Sequence, residues 1–388
     1  MKLVFVSNML NHHQIMLCNE LNRVFEYFIF VVVDNTDSIG CVRAQEAEYV
    51  LHYYLSEEKI QVEWEIIDAD VVIFGTCPNE LIELRMRYDK LSFLYSERFL
   101  KKGTWRRFIP KTRRNVYNRI IKYKTNNMYV LCASAYMPHD LNLLGFPLKK
   151  CYRWGYFPEI REQDIEELFQ RKKNKKLISI LWAGRLIKLK HPDYIVHVAE
   201  YLQKKGFKFE LNIVGEGNLE KKLKQMIIDR NLLDCVCLLG AMSPEKVRIY
   251  METADIFVFT SDYREGWGAV LNESMNSGCA VIASHAAGAV PFLIKSGENG
   301  LIYKNGDLNE LKQKMVMLIE DDDKREQYGR NAYQLMIELW NAKTAAERLR
   351  YMVDVLVVSG DISGLYNEGP CSLAENLDNH WYVDRKMG

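Results

Sequence analysis

Apolar residues in this chain fall into short unbroken runs, and between the runs they recur at helical spacing. In the first half the runs are Lys2–Val6, Phe28–Val33, Val71–Phe74, Leu91–Tyr95 and Val130–Ala133. In the second half they are Leu177–Trp182, Phe209–Val214, Val236–Leu239, Asp255–Phe259 and Cys279–Ala283. Runs without polar alternation are what strands buried on both faces of a parallel sheet present. Helices are predicted at about Gln14–Val24, after the Ser243-Pro244-Glu245 start signal, from Leu308 onward and over Trp340–Val358. Strand and helix alternate twice over, so the pattern predicts an α/β protein with two parallel-sheet domains. Trp154-Gly155-Tyr156-Phe157-Pro158 marks the crossing between them, and the charged run Arg171–Lys176 reads as a linker.

Composition narrows the classes. The chain has 388 residues and is 48% hydrophobic, enough for two buried cores. A net charge of +1 points to no partner by itself, so any charged partner must be read from local patches. No apolar run reaches the ~18–20 residues that span a bilayer. The opening M-K-L-V-F-V-S-N is too short in apolar core for a signal peptide and reads as a first strand. Nine cysteines are scattered without a C-x-x-C pair, the usage of a reduced, cytoplasmic protein.

The most informative stretch is Arg264–Ser277, R-E-G-W-G-A-V-L-N-E-S-M-N-S. It follows the apolar run Asp255–Phe259; Gly266 and Gly268 make a turn, and from Ala269 the spacing becomes helical. Strand, glycine turn and helix start is a layout for phosphate, because free amides and the positive helix end face the turn. Glu265 and Glu273 bracket it. Carboxylates repel a diphosphate, so their task is to accept hydrogen bonds from hydroxyls on either side of one, as in a nucleotide-sugar. With its glycines, Glu265-x7-Glu273 resembles the E-x7-E signature of retaining glycosyltransferases of the GT-B fold, family 4. Other motifs agree in order. After Leu177–Trp182 come Gly184, Arg185 and Lys190, similar to the family's G-R-L-x-x-x-K, in which the two cations hold the donor diphosphate. Gly215-Glu216-Gly217 is similar to its V-G-x-G turn. Gly240 opens the loop that meets the nucleobase, and Gly297–Leu301 is similar to a G-x-x-G-L turn of the family. Pro291 fits a further family turn, although Phe292 replaces the acid that usually follows.

The first half matches loosely. The family's Gly-rich loop after the first strand is missing, and Asn8, Asn11, His12 and His13 stand there; Asn11, His12 and His13 are candidates for the acceptor side, or simply a helix cap with solvated histidines. The family's His after the strand corresponding to Leu91–Tyr95 is also missing, and Glu97 or Arg98 is its candidate substitute. Asp68-Ala-Asp70 reads as a turn before a strand rather than a metal site. Lys101–Lys124 carries ten Lys/Arg and no acid, interleaved with Trp105, Phe108, Tyr117 and Tyr123. Its second half places Val116, Tyr117, Ile120 and Ile121 on one helical face, with Arg113, Arg114, Arg119, Lys122 and Lys124 around it. That is the profile of a helix lying on an anionic membrane, and it also suits a polyprenyl-diphosphate acceptor. A solvated basic helix and nucleic-acid binding are the alternatives, the latter thinly supported in a neutral protein.

The resemblance implies two Rossmann-like domains facing across a cleft: an acceptor domain 1–155, a donor domain 156–340, and a C-terminal helix and tail 341–388 packing back on the first. It implies a metal-independent hexosyltransferase with no cofactor, the nucleotide-sugar (UDP by family frequency) being a substrate. Glu273 would hold ribose, Glu265 the transferred sugar, and Arg185 and Lys190 the diphosphate, aided by amides near Gly266, Gly268 and Ala269. The acceptor would be a glycan or lipid-linked sugar of surface polysaccharide or glycolipid synthesis, met at the inner face of the plasma membrane. The competing readings are a GT-B-fold nucleotide-sugar epimerase, and a non-catalytic peripheral membrane or nucleic-acid binding protein.

Overall fold

The computed structural model describes residues 1–35, 47–360, 362 and 364–382. The chain divides into two compact units, Met1–Glu159 with Leu339–Asp378, and Ile160–Glu338 with the tail from Asn379.

Unit 1 is built on strands β1 (Lys2–Ser7), β2 (Tyr27–Val32), β3 (Val50–His52), β4 (Val71–Phe74), β5 (Ser92–Ser96), β6 (Met128–Cys132) and β7 (Cys151–Arg153). They form one seven-stranded sheet in the order β3-β2-β1-β4-β5-β6-β7, with every pairing parallel. The apolar runs are buried as expected; the short edge strands β3 and β7 had no such run to announce them. Helices α1 (His12–Val24), α2 (Ser56–Asp68), α3 (Asn79–Met86), α4 (Pro110–Arg119) and α5 (Met137–Asn142) connect the strands. Asn11 caps α1: its side chain accepts from the His13 N–H at 3.0 Å, and Gln14 reaches back to the Asn11 N–H. The helix therefore starts two residues before its expected Gln14, and His12 and His13 sit in its first turn.

Two buried arginines hold loops of this unit. Arg85 donates to the carbonyls of Ile66, Ile67, Ala69, Asp70 and Leu91. Arg98 pairs with Asp140, with Nη2–Oδ1 at 2.8 Å, both side chains sealed from solvent. Asp68 and Asp70 are engaged by Lys2, through its ammonium and its backbone N–H. The helix Ala342–Ser359 lies along α1, with Arg23 paired to Glu347 and Arg350 donating to the Val24 carbonyl at 3.0 Å. Residues Cys371–Ala374 then pair antiparallel with β7, closing that edge of the sheet.

Unit 2 carries β8 (Ile178–Ala183), β9 (Phe209–Val214), β10 (Val236–Gly240), β11 (Ile256–Phe259), β12 (Ala280–Ser284) and β13 (Leu301–Tyr303), ordered β10-β9-β8-β11-β12-β13 and again parallel. Its helices are α6 (Ile165–Lys173), α7 (Asp193–Lys204), α8 (Glu220–Asp229), α9 (Pro244–Thr253), α10 (Val270–Asn276), α11 (Val290–Leu293), α12 (Leu308–Glu320) and α13 (Asp322–Glu338); the helix Ala342–Ser359 of unit 1 is α14. Ile180, Trp182, Val196, Leu211, Ile256 and Ile282 anchor the core between sheet and helices.

Two features differ from the sequence expectation. Arg171–Lys176 is no linker: its first half ends α6, and Lys172 is buried, donating to the carbonyls of Ala254 and Gly278 at 2.5 and 2.9 Å. A long stem ending in three donors suits two orphan carbonyls inside a fold, which a charge count along the sequence does not reveal. The end of the tail also departs from the expected grouping of all of 341–388 with the first domain. Asn379–Tyr382 belongs to unit 2, where the Tyr382 hydroxyl donates to the Ile302 carbonyl and meets Glu310.

Candidate functional site

In each sheet the connections reverse direction beside the first strand, between β1 and β4 in unit 1 and between β8 and β11 in unit 2. At such a point the loops leaving the carboxyl ends of adjacent strands diverge and open a crevice. The candidate residues gather at these two places.

In unit 2, β8 runs into Gly184 and the exposed Arg185, then a tight helical turn at Lys188–Lys190. Gly215 follows β9, and its backbone packs directly on that of Gly184. A Cβ at Gly215 would lie 1.9 Å from the Gly184 carbonyl oxygen, so only glycine lets the two strand ends meet. Gly240 ends β10, and its carbonyl accepts from the Gly215 N–H at 2.8 Å. From β11 the chain passes Thr260 to the loop Asp262–Gly268. Thr260 locks the next strand end: its hydroxyl donates to the Lys190 carbonyl and accepts from the Trp182 indole at 2.8 Å. Lys190 and Glu265 form an ion pair, both largely shielded from solvent. Asp262 fixes the loop, taking Arg264 and standing 3.3 Å from His191 Nε2. Burial works against the Asp262 charge, but hydrogen bonds from His191 and Arg264 outweigh it and hold the carboxyl well below its usual range.

Gly268 (φ 96°) turns the chain into α10, with Ala269 at the cap, and a Cβ there would sit 2.4 Å from the Phe259 ring. Gly266 precedes the fully buried Trp267, whose indole donates to Asn272 at 2.9 Å and so braces the loop against α10. Glu273 lies on α10. Burial pushes its carboxyl up to about 7, against the pull of Arg248 and Arg161. Both arginines are fastened to α10 through Asn276: the Arg248 guanidinium donates to its side chain at 2.5 Å and the Arg161 N–H at 2.8 Å. Sequence reading missed Arg161, Arg248, Trp267 and Asn276, which carry no motif of their own. Below the loop, His285 accepts from the Asn305 N–H at 2.9 Å through Nδ1, so its Nε2 carries the proton toward the Tyr263 hydroxyl at 2.7 Å, which in turn donates to the Asn379 carbonyl.

In unit 1 a cavity of about 610 Å³ opens at the carboxyl ends of β1, β4 and β5. Asn11 and His13 line it; His12 does not. Asn11 is spent on the α1 cap. Burial, helped by the neighbouring His12, lowers His13 to about 4, so its imidazole is neutral at pH 7. Glu97 is also in the wall, accepting from the Tyr156 hydroxyl at 2.8 Å and paired with Lys101. Arg98, the other candidate there, is committed to its buried pair with Asp140.

The basic stretch is divided rather than continuous. Its apolar positions Val116, Ile120 and Ile121 are buried in unit 1, and the helix breaks at Ile120 (φ −146°). Arg119 turns inward, donating to the Gly75 and Cys77 carbonyls, and Lys122 pairs with Glu83. Arg119 and Lys122 are thus not available as surface charges, contrary to the sequence expectation, because the apolar face they flank packs on the protein's own core. Arg113 and Arg114 are exposed, as are Trp105, Phe108 and Tyr117. No described helix is long and apolar enough to cross a membrane.

Comparison with known proteins follows these lines. Residues 163–335 match the family model described as Glycosyl transferases group 1. The chain is 27% identical over 291 residues to the amylovoran biosynthesis glycosyltransferase AmsK of Erwinia amylovora, covering 73% of this chain and 68% of AmsK. It is 29% identical over 197 residues to an N-acetylgalactosamine-N,N'-diacetylbacillosaminyl-diphospho-undecaprenol 4-alpha-N-acetylgalactosaminyltransferase of Campylobacter jejuni, covering 49% of this chain and 51% of that one. Among solved structures, HepE of Anabaena in complex with UDP superposes with a TM-score of 0.68 at 16% identity, over 92% of this chain and all of HepE. The fold is therefore GT-B, and residues 163–335 are similar to the group 1 glycosyltransferases.

Proposed function

We propose that this protein is a retaining hexosyltransferase that moves a sugar from a nucleotide-sugar, UDP-linked, to a glycan or lipid-linked acceptor in surface polysaccharide or glycolipid synthesis. The observation that carries the reading is the Lys190–Glu265 ion pair beside the glycine-built strand ends of unit 2, with Arg185 following β8 and Glu273 on α10 after the Gly268 turn. UDP is supported by the complexes of HepE, and a carbohydrate-polymer setting by the names of AmsK and the Campylobacter enzyme.

In this reading Glu273 accepts the ribose hydroxyls, and Arg185 and Lys190 take the diphosphate. Lys190 and Glu265 neutralise each other in the free chain. The donor separates them, its diphosphate taking the ammonium and its sugar hydroxyls the carboxylate. The anomeric C–O bond to the diphosphate breaks as the acceptor oxygen bonds to the same face. The acceptor proton passes to the departing phosphate oxygen, and the two cations stabilise the charge left on UDP. Metal is not called on for that step. The acceptor is held by unit 1, and exposed Trp105, Phe108, Arg113 and Arg114 bring the protein to the inner face of the plasma membrane.

The test is calorimetry of the full chain against UDP, GDP, ADP and their common sugars, with and without EDTA, followed by turnover on the sugar that binds. Saturable UDP binding indifferent to EDTA supports the reading; silence with every nucleotide overturns it.

A further inference from the structure

We propose that Tyr263 is a positioning residue for Glu265, and that the tail segment Asn379–Tyr382 is the strap that holds Tyr263 in place; this deepens the transferase reading above and rests on it.

The donor removes one restraint on the Glu265 carboxylate. In the free chain the carboxylate pairs with Lys190. Once a diphosphate takes that ammonium, Glu265 is aimed at the sugar by the backbone that carries it. That backbone is the loop Asp262–Gly268, and its glycines at 266 and 268 leave it loose unless groups outside it fasten it. The ends of the loop are braced, by Asp262 against His191 and by Trp267 against Asn272. Glu265 itself makes two backbone bonds. Its N–H donates to the Asp262 carbonyl at 2.9 Å, and its carbonyl accepts from the Gly288 N–H at 3.3 Å. The first ties the loop to itself; the second ties it to the loop that follows β12. Glu265 therefore keeps its aim while these two loops stay together.

Tyr263 and His285 are the joint between the two loops. The Tyr263 hydroxyl accepts from the His285 Nε2 proton at 2.7 Å and donates to the Asn379 carbonyl at 2.7 Å. His285 is fixed from its other side: Nδ1 accepts from the Asn305 N–H at 2.9 Å, and its own backbone N–H donates to the Tyr303 carbonyl at 3.0 Å. A phenol that accepts one bond and donates another is held in rotation as well as in place.

The tail closes the joint. Trp381 and Tyr382 are buried. The Tyr382 ring stacks on His285 with centres 5.3 Å apart, and Trp381 meets the imidazole edge-on at 6.2 Å. The Tyr382 hydroxyl anchors this segment to the Ile302 carbonyl and Glu310. Asn379–Tyr382 adds no strand to the six-stranded sheet. What it adds is a cover over His285 and an acceptor for Tyr263. That acceptor is a backbone carbonyl, so the contact depends on the course of the chain and leaves no motif in the sequence.

The experiment compares the full chain with Tyr263→Phe and with Trp381→Ala/Tyr382→Ala. In Tyr263→Phe the His285 Nε2 proton keeps the Asn379 carbonyl, 3.3 Å away, as a partner, so the fold survives the change. Amide hydrogen exchange across 262–268 should quicken about tenfold in both variants, while β8 and β9 keep their protection. Calorimetry then reads UDP against UDP-glucose and UDP-N-acetylglucosamine, the tighter of the two being the sugar probe. Affinity for UDP should match the parent, because Arg185 and Lys190 lie outside the joint. Affinity for the sugar probe should fall about fivefold. In a Glu265→Ala background the same Tyr263→Phe change should cost the sugar probe nothing further, since the carboxylate it positions is gone. Unchanged exchange at 262–268 overturns the inference. So does an equal loss for UDP and the sugar probe, or an undiminished Tyr263→Phe effect in the Glu265→Ala background. UDP failing to bind the parent overturns the transferase reading instead, and the exchange measurement then still decides whether the strap holds the loop.

Discussion

Glu273→Gln makes the sharpest prediction, because it should strengthen the fold and weaken the function together. The Glu273 carboxyl titrates near 7 in the folded chain, against an ordinary value of 4.5. Above both values the unfolded chain has an ionised carboxylate in water, and the fold must bury the same charge. The raised value therefore removes stability as pH climbs from about 4.5 to 7, and costs nothing below 4.5. The full separation corresponds to about 3 kcal/mol at pH 8. The side chain retains partial access to solvent, so we take about 1–3 kcal/mol as the working range. Glutamine keeps the shape and removes the charge, so the variant should melt roughly 3–10 °C above the parent at pH 8 in the unit 2 transition. The gap should close by pH 4.5. Nucleotide binding should move the other way: a neutral amide offers the ribose one acceptor instead of two, so UDP affinity should fall about tenfold at pH 8. The parent should itself lose UDP affinity as pH drops below 7. Fluorimetric melting across pH 4–8 and calorimetry with UDP read both effects. A variant no more stable than the parent at pH 8, or a gap that persists at pH 4.5, would refute the reasoning.

Glu265→Ala should lower transfer at least about 100-fold with UDP affinity changed only a few-fold, measured by turnover and calorimetry on one preparation; transfer near the parent rate would remove Glu265 from the sugar contact. Arg113→Gln/Arg114→Gln should weaken binding to phosphatidylglycerol vesicles by about 2 kcal/mol, or roughly thirtyfold, in a flotation assay. Arg119→Gln should instead lower the melting temperature, by a loss of about 2 kcal/mol or more from the stranded Gly75 and Cys77 carbonyls, since its guanidinium serves the fold. Tyr382→Phe should cost about 1–2 kcal/mol in unit 2 through its lost bonds to Ile302 and Glu310, read by urea unfolding.

The strands of both sheets were legible because parallel strands buried on both faces need uninterrupted apolar runs, and these runs have few other uses. The short edge strands β3, β7 and β13 were not, since three residues make no run. Glu265, Glu273, Arg185 and Lys190 could be picked out because strand-end glycines punctuate the sequence beside them. The residues that fix these groups in place were silent: Arg161, Arg248 and Asn276 meet only through the fold. The basic stretch shows the limit of reading periodicity as exposure. An apolar face at Val116, Ile120 and Ile121 looks the same in sequence whether it faces lipid or the protein's own interior. Only the structure shows that Arg119 is structural and that Arg106 reaches the cavity.

The order in which unit 1 collects its pieces has a consequence for synthesis. Its sheet is open at β7 until Cys371–Ala374 arrives, and α1 is uncovered until α14 does. The ribosome must add roughly 215 residues after Glu159 first, which at about 5–20 residues per second takes roughly 10–40 s. For that time a nascent sheet edge and an apolar helix face stand exposed. The N-terminal half is therefore a natural client for chaperones, and cutting the chain near residue 160 is the wrong way to obtain unit 1 in isolation. A fusion that carries 339–378 directly after residue 159 supplies the missing closure.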